Sequence, residues 1–451
     1  MSKIIVLIIS IVLLQAIFIA SADIYPSNDE SQEFFVPFIT LANIYVDDDA
    51  PPSGDGSYLH PFQKIQEGID AADEGDKIFV FNGNYTEDLD IQKSIRLYGQ
   101  NKESTFIRGN GQIRNTYEVK LTGFSVTTKE IGDHILFHIF KSSICEFYEN
   151  NFYILHNGSH DDYSVCFWLN GSSNNIIRNN YFVGLRDYEY DLFTTHAIGM
   201  FFNSDENTVS NNTFIDLNSA CQLNDFSSNN IVTDNLVENT AQAFYATFGK
   251  KNIFRKNNMY DSGGVVLLAS SENIINKNTM TNEMIGIWAF FQANNNEIVA
   301  NNIIGYSIYG INLTTCFNNH IYYNNFINNG YGYSFGAQAE DYLGVNFWYK
   351  SFGLFRGAGN YWDDYEGFDI FPPYGIGDIP YNIGPQKNVN KDRFPFMDPI
   401  DINNITITVR KVNNEFINQE NYQFLKEQLT NELLTTESTL HLLNNVELCN
   451  N

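Results

Sequence analysis

Along most of this chain apolar and polar residues alternate at period two in short runs, and the runs recur in a fixed frame. Asn150 stands three residues after Phe147 and two before Phe152, and Asn180 stands likewise between Ile177 and Phe182. The same frame surrounds Asn212, Asn235, Asn257, Asn278, Asn301 and Asn324, with successive steps of 30, 32, 23, 22, 21, 23 and 23 residues. Period-two alternation predicts short strands, and self-similarity at this spacing predicts a solenoid. Asparagine is the non-glycine residue that most readily takes a left-handed backbone, and its amide can bond an identical amide stacked above it. One asparagine per coil at a fixed corner therefore makes a ladder along the axis. Leucine-rich repeats also carry one asparagine per repeat, but the periodic leucines they need are missing here. The expected fold is all-β, a right-handed parallel β-helix of about ten to twelve coils, roughly 50–60 Å long at about 4.8 Å per coil.

The flanks break this pattern. Residues 1–22 read as an export signal, with Lys3, the apolar run 4–20 and the cleavage-like Ala20-Ser21-Ala22. The run is close to the length of a membrane span, so an uncleaved anchor is the other reading. Residues 23–43 read as a flexible leader and 44–107 as an N-terminal cap with the first strands. In that cap Pro61-Phe62 opens a short amphipathic helix with Phe62, Ile65, Ile69 and Ala72 on one face. Strands are expected over 77–81 and 95–98. A helix there would cover the open edge of the first coil. Coils proper occupy 108–358. An aromatic C-terminal cap follows over 359–399, in which Tyr361, Trp362, Tyr365, Phe368 and Tyr381 are expected to cover the last coil. A tail with a helical stretch near 422–443 completes the chain.

Charge and cysteine usage narrow the partners. The net charge is -27, from 53 acidic and 26 basic residues. That excludes nucleic acid, which needs a basic surface, and opposes the approach of a polyanionic polysaccharide. Cations and neutral glycans remain. Of the five cysteines, Cys166 and Cys221 read as sharing one phase two coils apart, about 9–10 Å, too far for a disulfide, so buried thiols are expected. Sequons occur at Asn84, Asn157, Asn170, Asn211, Asn312 and Asn404.

The two long steps carry extra residues at the same corner, shortly after the asparagine. The insertion near 155–163 contains His156, His160, Asp161, Asp162 and Tyr163. The one near 184–196 contains Asp187, Tyr188, Glu189, Tyr190, Asp191 and His196, and the preceding coil brings His134 and His138 to the same side. These residues form a candidate binding rim. Histidines and carboxylates together suit a divalent metal, with His134, His156, His160 and His196 as ligands, or a network of sugar hydroxyls. The competing reading is an ordinary solvated loop. A basic cluster, Lys250, Lys251, Arg255, Lys256 and Lys277, resembles the proton-abstracting groups of lyases but lacks acidic calcium ligands beside it. The Asn-Thr-Asp, paired-aspartate and Gly-His-Gly set of β-helix polygalacturonases is missing in that form, and no catalytic residue is assigned.

The segment Ile44-Tyr-Val-Asp47, Pro61-Phe-x-x-Ile-Gln66, Gly75-Asp76-Lys-Ile-Phe-Val80 and Gly83-Asn-Tyr-Thr-Glu87 resembles the N-terminal cap of pectin-lyase-like β-helix proteins. The Asn-rich coils resemble the periplasmic copper-binding NosD-type family, as does the block Gly359-Asn-Tyr-Trp-Asp363-Asp364-Tyr, Gly375-Ile-Gly-Asp378-Ile-Pro-Tyr381 and Asp392-Arg-Phe-Pro395. The likeness covers most of 44–399 and implies a secreted β-helix linked to metal handling or carbohydrate binding. Relatives often precede Gly-Ile-Gly-Asp with alternating aspartates, an oxygen-rich calcium loop. Here Phe371-Pro372-Pro373-Tyr374 stands there with only Asp369 and Asp378 flanking, which disfavours calcium. The expected function is an exported cell-surface or periplasm-like binding or structural protein. It would engage carbohydrate or cell-envelope material, require no cofactor, and attach to a membrane only through an uncleaved N-terminal segment. A polysaccharide lyase or hydrolase, and a copper-handling accessory protein, are the alternatives.

Overall fold

The structure is a computed structural model and describes residues 42–129, 135–154, 164–184, 195–332, 337–353, 356–370, 375–384 and 390–406. The export signal, nearly all of the leader and most of the tail lie outside these residues. The chain divides into units 1–399 and 400–451. In the second unit the described residues form a short 3-10 turn, Ile402–Asn404, whose first N–H groups are capped by Asp401.

The first unit is a right-handed parallel β-helix. One sheet stacks 13 strands in strict chain order, from Asn43–Val46 to Val345–Phe347. The other two columns of short strands merge into a 21-stranded sheet, because Thr213–Leu223 and Leu236–Thr247 run unbroken through the corner between them. The 13 strands exceed the ten to twelve coils expected, since Asn43–Val46, Lys77–Val80 and Arg96–Gly99 already stack in the first sheet. Within the region read as a cap, the coil is thus already running.

The helix begins at Ile65, not at Pro61, and spans Ile65–Ala71. Its start is fixed by Glu87, whose carboxylate accepts from the N–H groups of Ile65 and Gln66, both at 2.9 Å. These are the donors that a helix leaves open at its first turn. Ile65 and Ile69 are buried over the first coil, while Phe62 lies before the helix and packs only partly on the core.

The interior is a set of apolar columns. Phe152, Phe182 and Phe214 stack at 5.0 Å per step. The column closes with Phe326, Trp362 and Tyr381, stacked at 4.0 and 4.1 Å. Trp362 stands two residues after Asn360, so the Gly-Asn-Tyr-Trp block is one more copy of the repeat. Phe368, expected in this cover, is instead exposed.

The corners show why asparagine recurs. Asn257 donates its backbone N–H and Nδ2 to Asn278 Oδ1, at 2.9 and 3.0 Å, and Nδ2 also reaches back to Val232 O at 3.0 Å. Similar bonds link Asn150 through Asn180, Asn212 and Asn235 to Asn257, and onward through Asn301 and Asn324 to Asn360. The left-handed residue is the one before each rung, such as Glu149, Asp234, Lys256 and Ala300 with φ of 56°, 57°, 53° and 56°. Asparagine is needed for its amide, which meets backbone groups that the turn removes from the sheets.

A second ladder runs five residues before the rungs, at Asn175, Asn207, Asn230, Asn252, Asn273, Asn296 and Asn319, and continues to Asn346, 14 residues before Asn360. Both ladders point their donors toward the C-terminal end and finish on carboxylates. Asp392 accepts from Asn360 N (2.7 Å), Asn360 Nδ2 (3.3 Å) and Trp362 Nε1 (3.0 Å). Asp341 accepts from Asn346 Nδ2 (2.8 Å) and Trp348 Nε1 (2.9 Å). A short third run, Asn329 to Gln338, ends on Asp363 and Asp364. Gly359 has no side chain because a Cβ there would land on the Asp392 carboxylate.

Cys145, Cys166, Cys221 and Cys316 are free and buried. The register sets Cys221 beside Ile198, which sits beside Phe167, so Cys221 is one position out of line with Cys166. Phe167 stands 13 residues before Asn180 but its partner Ile198 stands 14 before Asn212, so counting from the ladder misplaces Cys166 by one position.

Two predictions follow from the ladders. Asn257→Ala leaves Asn235 N–H without its acceptor in a buried corner, takes from Asn235 Nδ2 one of its two bonds, and removes the amide bond to Val232 O. At about 1–3 kcal/mol for an unsatisfied buried group, urea denaturation should show a loss of about 1–3 kcal/mol. The second concerns Asp392, whose carboxyl is pushed up to about 7 by desolvation, against the pull of its Trp362, Asn360 and Phe394 donors. The folded state holds this proton more tightly than the unfolded chain, where the carboxyl titrates near 3.8. The resulting stability is full below about pH 4 and is lost as pH rises through about 7. The melting temperature of the wild type should fall across that window, and Asp392→Asn should flatten the fall.

Candidate functional site

The candidate rim of the sequence reading falls mostly outside the described residues. This holds for His134, His156, His160, Asp161, Asp162, Tyr163, Asp187, Tyr188, Glu189, Tyr190 and Asp191. The stems of the two insertions are described. Tyr153 pairs with Val183 and Ser164 with Thr195, so both insertions leave and rejoin the coil at one corner, one rung apart. His196 is described and is 1% exposed. It lies on the strand Thr195–Phe201, with its Nδ1 3.1 Å from Gln222 Nε2.

What the described residues do assemble is an outward row on the strands after that corner. The register runs His138↔Trp168↔Gly199↔Gln222↔Tyr245 and continues Tyr245↔Val266↔Trp288↔Asn312. Trp168 stacks on Phe201 at 4.6 Å with the planes 21° apart, and Trp288 stacks on Phe290 at 4.6 Å and 28°. Gly199 makes the first of these possible, because a Cβ there would come 2.7 Å from the Phe201 ring. Trp168, Phe201, Trp288 and Phe290 are half-buried. Burial pushes the Tyr245 phenol up to about 12 and holds His138 below the usual imidazole range, so both are neutral near pH 7.

Sequence reasoning missed this row, although the signal was present. Trp168, Tyr245 and Val266 stand twelve residues before a ladder asparagine and Trp288 stands thirteen before one. Counting backward from the ladder would have aligned them. At its N-terminal end the row continues through Gln112 and Asp90 into a cleft of about 490 Å³, lined by Gln66, Asp88, Leu89, Asp90, Asn110 and Gln112. Arg114 pairs with Asp90 at 2.6 Å and Lys129 with Asp88 at 2.8 Å at its edge.

The basic cluster has a structural position. Lys256 and Lys277 are the left-handed residues before Asn257 and Asn278, on a different corner from the aromatic row. Among the described residues, the one group of three acidic, histidine or cysteine side chains close enough to share a metal ion is Asp47, Asp48 and Asp49. Two of these accept backbone N–H bonds: Asp48 from Asn84 at 2.7 Å and Asp47 from Asp49 at 3.1 Å. An all-oxygen set does not suit copper, which favours imidazole and sulfur donors. The thiols do not supply those donors, because burial pushes Cys145 up to about 11 and Cys316 up to about 12. The described residues therefore do not fit a copper centre. Asp369 and Asp378 accept from Gly375 N and Ile370 N, pinning their own loop.

No curated protein sequence matches the chain. Among solved structures, the periplasmic alginate epimerase AlgG is 17% identical with a TM-score of 0.37, over 56% of this chain and 62% of its own length, less than two thirds of it. The catalytic domain of a GH87 α-1,3-glucanase in complex with nigerose is 12% identical with a TM-score of 0.39, over 63% of this chain and 67% of that one. A PL6 family polysaccharide lyase from Pseudopedobacter saltans is 12% identical with a TM-score of 0.46, over 63% and 92%. Residues 191–367 match the family described as periplasmic copper-binding protein (NosD), so over that stretch the chain carries the resemblance read from its coils and its Gly359 block.

Proposed function

We propose that this protein is an extracytoplasmic binding protein that lays a neutral glycan along its outward aromatic row. The observation that carries this reading is the alignment of Trp168, Tyr245 and Trp288 on one outward line, with Phe201 and Phe290 stacked against the two tryptophans. Such rings offer flat apolar faces with polar edges, a good match for the face of a sugar ring and its rim of hydroxyls. Trp168 and Trp288 are five rungs apart, roughly 24 Å at about 4.8 Å per rung. That length suits an extended oligosaccharide rather than a single sugar.

Charge supports a neutral ligand. From His138 to Asn312 the row carries no lysine or arginine, and the chain as a whole is at -27. A uronate polymer would meet repulsion without a cation to receive it. An extracytoplasmic location is supported by the signal-like residues 1–22 and by the description of the matching family as periplasmic. No helix among the described residues is long and apolar enough to cross a membrane.

The test is a glycan array of neutral and acidic polymers, followed by titration of the best neutral oligosaccharide. Trp168→Ala and Trp288→Ala should each weaken binding about tenfold, equivalent to about 1.4 kcal/mol, with little change in melting temperature. Wild-type protein that binds no glycan, or alanine variants that bind as tightly as wild type, would overturn the reading. Release of reducing ends or unsaturated sugars from any polymer on the array would replace binding with catalysis.

A further inference from the structure

On the 13-stranded sheet, away from the aromatic row, two basic residues stand apart from the others. Lys120 and Arg178 both pair with Glu146, at 2.8 and 2.7 Å, and Arg255 bonds Thr233 Oγ1 at 3.3 Å. Lys77 and Arg96 have neither an ion pair nor a side-chain hydrogen bond among the described residues. The register sets Lys77 beside Arg96 and Arg96 beside Lys120, so three cations follow one another on successive rungs. All three are half-buried, and like charges directly opposite on neighbouring strands repel.

No carboxylate stands among them. The strands Asn43–Val46, Lys77–Val80, Arg96–Gly99 and Lys120–Thr122 contain no aspartate or glutamate, in a chain that has 53. On the turn before Lys77, Asp76 is buried and accepts from Ala42 N and Asp73 N, while Glu74 accepts from Ser94 N. Two residues along each strand a second row runs beside the cations, Tyr45, Phe79 and Tyr98. Their rings stack at 5.7 and 5.3 Å with planes 22° and 19° apart. Phe79 is covered on both faces, which leaves the row its ring edges, the positive side of the aromatic quadrupole. Cations and edges make one electropositive strip in a chain at -27.

We propose that Lys77 and Arg96 form an oxyanion site that receives one carboxylate or phosphate group of a ligand. The site is on a different sheet from the aromatic row and does not depend on it. Neighbouring rungs are about 4.8 Å apart, close enough for one oxyanion to lie between the two side chains. Arg96 supplies a planar fork matched to carboxylate or phosphate oxygens, and Lys77 supplies a point charge on a flexible stem. The chain itself shows this arrangement further along the same row. There the Glu146 carboxylate lies between Lys120 and Arg178 and neutralises both. Lys77 and Arg96 lack such a carboxylate of their own, and a bound anion would end their mutual repulsion.

The experiment titrates galacturonate, inorganic phosphate and uncharged galactose into the full protein at low ionic strength. One galacturonate or phosphate should bind per chain with a Kd of about 1 mM or tighter, and added sodium chloride should weaken it. Arg96→Gln and Lys77→Gln should each weaken binding about tenfold. Lys251→Gln removes the same charge at the coil of Ile253–Arg255, six coils from Arg96, and should leave binding unchanged. Trp288→Ala, on the aromatic row, should leave it unchanged as well. Without ligand, neither Arg96→Gln nor Lys77→Gln should melt below wild type, which separates lost recognition from lost folding. The tighter of the two anions names the chemistry that the site prefers. Galactose binding as tightly as galacturonate, no saturable binding of either anion, or equal weakening by Lys251→Gln would each overturn the site.

Discussion

A chain that turns a sharp corner in every coil must find partners for the backbone groups that leave the sheets there, and it must do so without water. In this protein that demand is met by the asparagine amide. Each rung accepts two bonds from the rung before it, returns one to an earlier coil, and passes its own donors forward, as Asn257 does between Asn235 and Asn278. No other small side chain offers an acceptor and two donors at that reach. The left-handed residue beside it makes the turn, and the period-two strands fill the straight segments with Phe, Ile and Val. Column, corner and coil length are then consequences of one hydrogen-bonding geometry repeated along an axis. Cooperative polarisation along such a chain of amides adds to the stability of each link.

The same geometry governs where function can reside. Residues some 23 positions apart become neighbours about 4.8 Å apart, so a surface line is written one residue per coil. Trp168, Gln222, Tyr245 and Trp288 are remote in sequence and continuous in space. The outward face of the long strands is rigid because its inner face is packed on Phe167, Ile198, Cys221 and Phe244, all buried. A binding strip carried on strands needs no loop to be ordered first, which limits the entropic cost of seating an extended ligand.

The fold was legible because its rule is local and repeated. Eight rungs in a common frame identify a solenoid even without knowledge of the contacts. The second ladder was equally present in the spacing Asn-x-x-x-x-Asn, as in Asn230 to Asn235, but a search for one asparagine per coil stops at the first. The N-terminal coils were harder to see because Ile95, Val119 and Cys145 stand where later coils place their second asparagine. There the corner is apolar and the second asparagine is missing. The terminal carboxylates were not legible at all, since Asp392 follows Asn360 by 32 residues and no spacing rule links them. Loop insertions drew attention to His196 as an exposed ligand. The structure instead buries it against Gln222, a contact that no spacing rule reveals.

Along each ladder the rung-to-rung bonds run in one direction, while Nδ2 also reaches back one coil, and each line ends on the carboxyl group of Asp392 or Asp341. The rod therefore has a chemical polarity with a defined stop. A further turn of asparagines stacked beyond the last one would meet carboxyl groups where the ladder needs amide donors, so the ladders themselves end with the chain's own last coil.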